Sequence, residues 1–149
     1  MNKELTKLLY EMGQKAKSAS AILNTATGDQ KNKFFDLAIN LIQQHADNIL
    51  KANQIDIKQA KENNKDEAFI DRLALDIGRL KGICDTLAAI KLFEDPIGKV
   101  LASWDRPNGL NISRIATPLG VIGLIFESRP NVAADAGGLC LKSGNAVIL

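Results

Sequence analysis

Histidine occurs once in these 149 residues, tryptophan and tyrosine once each, cysteine twice and proline four times. The lone His45 has no cysteine or carboxylate at ligand spacing, so no metal site is expected. No Ser-His-Asp or Cys-His set can be assembled from the remaining residues. Cys84 and Cys140 are too few for a disulfide framework and both sit among aliphatic neighbours, which suits a reducing, cytoplasmic setting. Cys84 falls in helical register with Ile77 and Leu80, and Cys140 lies between Leu139 and Leu141. Both read as packing residues, because a thiol without a cationic neighbour in an apolar setting is inert. No apolar run approaches the roughly 18 residues that cross a bilayer. The first twenty residues carry charges at regular intervals instead of the continuous apolar core of a secretory signal. A basic stripe is also lacking: net charge is +2, and lysines alternate with acids from Lys58 to Glu67, as on a solvated face. Neither nucleic acid nor membrane is expected as a partner.

What is present is an ordinary globular balance, 46% hydrophobic and 24% charged, in a chain long enough for a real core. The first part, to about Phe93, reads as helices. Leu5, Leu8, Leu9, Met12, Ala16 and Ala19 recur at spacings of three and four, and so do Phe34, Leu37, Ala38, Leu41 and Ile49. The latter run follows Thr27-Gly28-Asp29, with Asp29 expected as its N-cap. A third run, from Phe69 through Ile77 and Leu80 to Leu87, is the most regular, and the polar segment Lys61–Asp66 precedes it. Three helices, each with one apolar stripe, must pack on one another or on a sheet.

The period changes after Asp95-Pro96-Ile97-Gly98, where proline ends the helical pattern. Val100–Trp104 and Leu110–Thr117 follow, joined by a turn at Arg106-Pro107-Asn108-Gly109, and the alternation from Leu110 to Ile115 suggests a strand with one wet face. Leu119–Phe126 is apolar at nearly every position, which predicts a strand buried on both faces of a parallel sheet. A helix rich in Ala and Gly, Val132–Lys142, follows, and its small side chains would let it sit close against the sheet. Ser143-Gly144 would stop that helix, with Gly144 left-handed, before a second apolar strand from Asn145 to Leu149. The unit is β-α-β. One strand and the start of another cannot close a sheet core, so the chain is expected to be an incomplete piece of a longer domain.

The segment Glu127-Ser128-Arg129-Pro130-Asn131 lies at the carboxyl end of the first of these strands and before the helix, where open α/β sheets bind ligands. The helix start favours a phosphate or carboxylate, and a guanidinium at Arg129 suits an oxyanion. The same residues also fit an ordinary capped turn with Asn131 as N-cap. Gly120-Val121-Ile122-Gly123 is not a dinucleotide fingerprint, because its glycines fall within the strand instead of after it. Gly137–Ser143 lacks the glycine before lysine that a phosphate-binding P-loop requires.

Several of these stretches together carry a resemblance. They are Asp71-Arg72-Leu73-Ala74-Leu75, Asp95-Pro96-Ile97-Gly98, Pro118–Gly123, Glu127-Ser128-Arg129-Pro130-Asn131-Val132 and Leu139–Leu149 with its Lys-Ser-Gly-Asn. The chain resembles the gamma-glutamyl phosphate reductases, the glutamate-5-semialdehyde dehydrogenases of proline biosynthesis, a divergent branch of the aldehyde dehydrogenase superfamily. The likeness runs along essentially all of the chain but only about the first third of the family's usual length. It implies an α/β fold: N-terminal helices and the first β-α-β of a Rossmann-like cofactor domain of aldehyde dehydrogenase type, incomplete. It implies helices over residues 1–99 as part of that domain, a β oligomerisation arm over 100–117 and the truncated β-α-β over 118–149. The implied reaction is NADPH-dependent reduction of L-glutamyl 5-phosphate to L-glutamate 5-semialdehyde, in a cytoplasmic homo-oligomer paired through the arm.

The family's nucleophilic cysteine belongs to a region beyond Leu149, and neither Cys84 nor Cys140 matches its motif. No catalytic residue is therefore assigned within the chain, and alone it is expected to be inactive. In the wider superfamily the corresponding loop is a Pro-Trp-Asn turn, which this chain lacks, and that absence speaks against a general aldehyde dehydrogenase. Ungapped alignment with that turn would place Ile125, Phe126, Glu127 and Ser128 along the cofactor. It sets Arg129 where the turn has its asparagine. Arg129 is expected to contact the acyl-phosphate end of the substrate, with Asn131 helping or merely capping. The rival expectation is a non-catalytic helical interaction module with a β appendage.

Overall fold

The computed structural model describes residues 3–149. Its helical part holds five helices: α1 (Lys3–Leu23), α2 (Gly28–Gln44), α3 (Ala46–Glu62), α4 (Glu67–Leu73) and α5 (Ile77–Lys91). The cap of α2 is Thr27, not Asp29. Thr27 Oγ1 accepts from the Gln30 amide at 3.2 Å, and Gln30 Oε1 accepts from the Thr27 amide at 2.8 Å, a reciprocal capping box. Asp29 sits one position into the first turn, where its charge still suits the helix dipole.

Two runs that the periodicity joins are in fact broken. Phe34–Ile49 is interrupted at His45, which serves as C-cap of α2 and N-cap of α3. Phe69–Leu87 is interrupted at Ala74, whose ψ of 135° is extended, and α5 restarts behind Asp76, whose carboxylate accepts from the Arg79 amide at 2.7 Å. The buried Asn53 of α3 holds this second break. Its Nδ2 donates to the Leu73 carbonyl at 2.8 Å, and its Oδ1 accepts from the Leu75 amide at 2.7 Å. Backbone groups that leave a helix need such partners when they are out of water.

The core is built from Phe35 of α2 with Leu80, Ile83, Leu87 and Ile90 of α5. Beneath it lies a buried polar set. Lys31, 2% exposed, pairs through Nζ with Asp95 Oδ2 at 2.8 Å. Lys142 Nζ donates to Asn32 Oδ1 at 2.9 Å and to the Lys91 carbonyl at 2.7 Å. Burial pushes the Asp95 carboxyl upward, but the Lys31 hydrogen bond, the Ile97 amide and the charges of Lys31 and Lys142 outweigh it. The net result lies below the usual carboxylate range.

The next two strands, β1 (Val100–Asp105) and β2 (Asn111–Ile115), pair antiparallel, with Ser103 opposite Ser113 and Trp104 opposite Ile112. In the connection only Gly109 takes a positive φ, 82°, and the Arg106 amide reaches across to the Leu110 carbonyl at 2.8 Å. The alternation from Leu110 to Ile115 predicts one dry face, yet only Ala102 and Ile112 are half-buried within the strands, while Val100, Leu101, Trp104 and Ile115 are exposed. Among the described residues the two strands pack chiefly on each other.

The last unit is β3 (Val121–Gly123), α6 (Asn131–Lys142) and β4 (Ala146–Ile148), with β3 and β4 parallel and Val121 opposite Ala146. Asn145, buried, ties the pair together: its Oδ1 accepts from the Gly120 amide at 2.9 Å. Gly144 stops α6 with φ 72°, as its sequence context predicts. The burial expected for Leu119–Phe126 is not found. The strand is three residues long, and Leu119 and Ile125 are almost wholly exposed. Among the described residues β4 alone pairs with β3, so no strand lies along its other edge. The small residues of α6 do serve close packing, but chiefly against helices: a Cβ on Gly138 would meet Leu87, Ile90 and Phe35 at 3.0–3.3 Å. No described helix is long and apolar enough to cross a membrane.

Candidate functional site

The loop from β3 to α6 comes down beside the α4–α5 break, and a cleft of about 430 Å³ lies between them. Its polar lining comes from Asp71, Arg72, Arg79, Thr86, Arg129, Asn131 and Asp135. α4 and α5 carry Asp71, Arg72, Arg79 and Thr86 to one wall, and the segment entering α6 carries the others.

Ser128 takes a left-handed φ of 53°, a conformation that costs an L-residue about 1–2 kcal/mol. That bend turns the chain into α6, and Ser128 Oγ accepts from Arg72 Nε at 3.4 Å across the cleft mouth. Asn131 does not cap α6: Pro130 precedes the helix with helical dihedrals and no side-chain cap. Asn131 is instead its first residue, and its Nδ2 donates to Asp135 Oδ2 at 2.8 Å, one turn along. The reason is that Pro130 already fixes a helical φ, so the helix begins without an extended capping residue.

The three arginines differ. Arg79 is tied down, with Nη2 on Asp71 Oδ1 at 2.7 Å and Nη1 on the carbonyls of Ala74 and Asp71. Among the described residues Arg72 has only the long contact to Ser128. Arg129 is exposed, and its guanidinium makes no hydrogen bond or ion pair among the described residues. Asp135 Oδ1 is buried and likewise without a hydrogen-bond partner among them.

Of the residues singled out from sequence, Arg129 and Asn131 line the cleft, and Ser128 touches its rim through Arg72. Ile125, Phe126 and Glu127 are exposed and lie outside the lining. Both cysteines are free and buried. Burial pushes the Cys84 thiol up, with the Asp85 charge adding to it and Lys81 opposing, and burial alone raises Cys140. Neither thiol is activated. Among the described residues no three His, Cys, Asp or Glu side chains gather as a ligand set.

Sequence reading missed Arg72 and Asp135. A signal existed for Asp135, the only charged residue between Asn131 and Leu141 in a helix otherwise built of small and aliphatic side chains. Arg72 lies beside Asp71 on a short helix, and nothing local tells it from a solvent-facing arginine.

No family model matches the chain. Among curated proteins it is similar to the gamma-glutamyl phosphate reductase of Brucella suis biovar 1 (strain 1330), 51% identical over 149 residues, which is all of this chain and 35% of that protein. The gamma-glutamyl phosphate reductase of Bartonella tribocorum is also 51% identical, over 93% of this chain and 34% of its own length. Among solved structures the gamma-glutamyl phosphate reductase of Thermotoga maritima superposes with a TM-score of 0.90 at 38% identity, covering 93% of this chain and 34% of that one. The gamma-glutamyl phosphate reductase of Saccharomyces cerevisiae gives 0.88 at 32% identity, over 93% and 35%. The chain thus spans about a third of the length of the proteins it matches, and over that third it shares both their sequence and their fold.

Proposed function

We propose that this chain is part of a gamma-glutamyl phosphate reductase of the aldehyde dehydrogenase superfamily. The intact protein reduces L-glutamyl 5-phosphate to L-glutamate 5-semialdehyde with NADPH, in the cytoplasm and in proline biosynthesis. The observation that carries this reading is the cleft, which brings Arg129, free of any partner among the described residues, beside Asn131 and Arg72 at the end of a parallel strand. Open α/β sheets receive ligands at such strand ends. A guanidinium there offers paired donors to an acyl-phosphate dianion.

The cofactor suits the other side of the loop. Ile125 is wholly exposed and Phe126 partly so, an apolar surface at the carboxyl end of β3 that a nicotinamide ring would cover. Ile125, Phe126, Glu127 and Ser128 would hold it, and the bound group would supply hydride. The left-handed Ser128 divides the two roles: residues before it face the cofactor side, and those after it enter the substrate cleft. Neither Cys84 nor Cys140, both buried with thiols pushed up by burial, would serve as a nucleophile. The exposed β1–β2 hairpin, with Leu101, Trp104 and Ile115 bare, would pair with a second copy as a homo-oligomerisation arm.

The test is phosphate-dependent reduction of NADP+ by the intact protein with glutamate 5-semialdehyde. Arg129→Ala should lower kcat/KM about 10- to 100-fold, chiefly through the KM for phosphate, the range set by lost charge-assisted hydrogen bonds. No turnover by the unaltered protein, or an unchanged KM for phosphate in the variant, would refute the assignment.

A further inference from the structure

The cleft carries charge of both signs. Arg72 and Arg129 have no carboxylate partner among the described residues, whereas Arg79 is held by Asp71 and backbone carbonyls. Asp135 adds a carboxylate to the same lining. Its Oδ2 accepts from Asn131, while its Oδ1 is buried with no donor among the described residues. A carboxylate withdrawn from water with half its acceptor capacity unused is unfavourable until a donor reaches it. Of the other donors in the lining, Arg79 is held as described and Thr86 Oγ1 donates to the Gly82 carbonyl at 3.0 Å, while Arg72 and Arg129 keep unused donors but make no hydrogen bond to Asp135. A cation brought by the ligand would supply what is missing.

We infer that Asp135 and Arg72 read the head group of an α-amino-acid substrate, Asp135 receiving the α-ammonium and Arg72 the α-carboxylate. This rests on the reading above, in which Arg129 faces the acyl-phosphate end of L-glutamyl 5-phosphate. The head group presents one cation and one planar two-oxygen anion on a single carbon, and a carboxylate beside a guanidinium is complementary to both. A ligand with anionic groups only would gain nothing from Asp135 and would be repelled by it. The pair therefore selects the amino acid over the corresponding dicarboxylic analogue. Asn131, by holding the other carboxylate oxygen, is a positioning residue that orients Asp135.

The experiment compares two aldehydes in the intact enzyme, with phosphate and NADP+. They are glutamate 5-semialdehyde and 5-oxopentanoate, which lacks only the amino group. Asp135→Asn should reduce the ratio of their kcat/KM values about 10- to 100-fold, the loss of one charged hydrogen bond. Arg72→Gln, at an exposed position where folding is not at stake, should reduce the ratio of glutamate 5-semialdehyde to 4-aminobutanal, which lacks only the carboxylate, by a similar factor. Unchanged ratios with lower activity on every aldehyde would overturn the inference and leave both residues structural. An unaltered enzyme that rejects all three aldehydes would instead overturn the functional reading beneath it.

Discussion

Replacing Asn53 by Ala removes both hydrogen bonds that hold the α4–α5 break. Asn53 is 3% exposed, so water does not substitute for the lost amide, and the Leu73 carbonyl and Leu75 amide are left in half-buried surroundings. Each unsatisfied group costs about 1–3 kcal/mol. Two of them, with some relief from water entering the break, give a loss of about 2–4 kcal/mol. For a protein of this size that is about 4–16 °C in Tm. The break also sets the positions of Arg72 and Arg79, so disorder there should widen the cleft as well as weaken the fold. Hydrogen exchange reads this locally: the Leu75 amide should lose its protection in Asn53→Ala while the amides of α2 keep theirs. Thermal melting of the same samples gives the global figure. A variant that melts within about 1 °C of the parent, with the Leu75 amide as slow as before, would show that the break is held by something other than this side chain.

Acid should act through Asp95. Its folded-state pKa is depressed, so its contribution to stability is fully present above the ordinary carboxylate range and is lost as pH falls through the folded value. Urea midpoints of the parent should therefore drop on acidification more steeply than those of Asp95→Asn, and parallel curves would contradict the pairing. At neutral pH Asp95→Asn should cost about 3 kcal/mol, because it leaves Lys31 buried and uncompensated. Gly144→Ala should cost at least about 2 kcal/mol by denaturant titration, since it forces a left-handed φ on alanine and drives a Cβ into Ile97 and Pro118. Trp104→Ser combined with Ile115→Ser should lower the mass of the intact protein in light scattering, and an unchanged mass would remove the hairpin from the assembly contact.

Much of the element order was legible because apolar spacing carries the period of each element. That is why α1, the hairpin and the β-α-β order could be read in advance even though most of the apolar residues of α1 and the hairpin are exposed. The breaks at His45 and Ala74 were not legible. An apolar period continues across an interruption of one residue, as at His45, or of three, as at residues 74–76, and the residue that stabilises the second break, Asn53, lies some twenty positions away on another helix. The cap of α2 was misplaced for a local reason. Asp29 and Thr27 are both good caps, and only the return bond from Gln30 decides for Thr27. The loop residues were singled out because strand-end loops carry ligands, and of the two roles considered for Asn131, substrate contact or N-cap, the capping one is not seen. Leu119–Phe126 has the composition of a buried strand, yet its surroundings in this chain leave it bare. Composition states what a segment needs, not what covers it.

The same long-range polar contacts explain why the cleft can be a rigid site. Lys142, at the far end of α6, is anchored to Asn32 and to the end of α5, and Lys31 with Asp95 binds α2 to the segment that follows α5. Gly138 lets α6 approach Phe35, Leu87 and Ile90 closely enough for those anchors to reach. Asn53 fixes the opposite wall. Each wall of the cleft is therefore held from behind by a buried polar group and a packed apolar face, while the groups that face inward, Arg72, Arg129 and Asp135, keep unused hydrogen-bonding capacity among the described residues. Unpaired inner groups on satisfied supports favour the ligand site proposed above, because charges held only for structure are paired, as Arg79 and Asp71 of the same lining are.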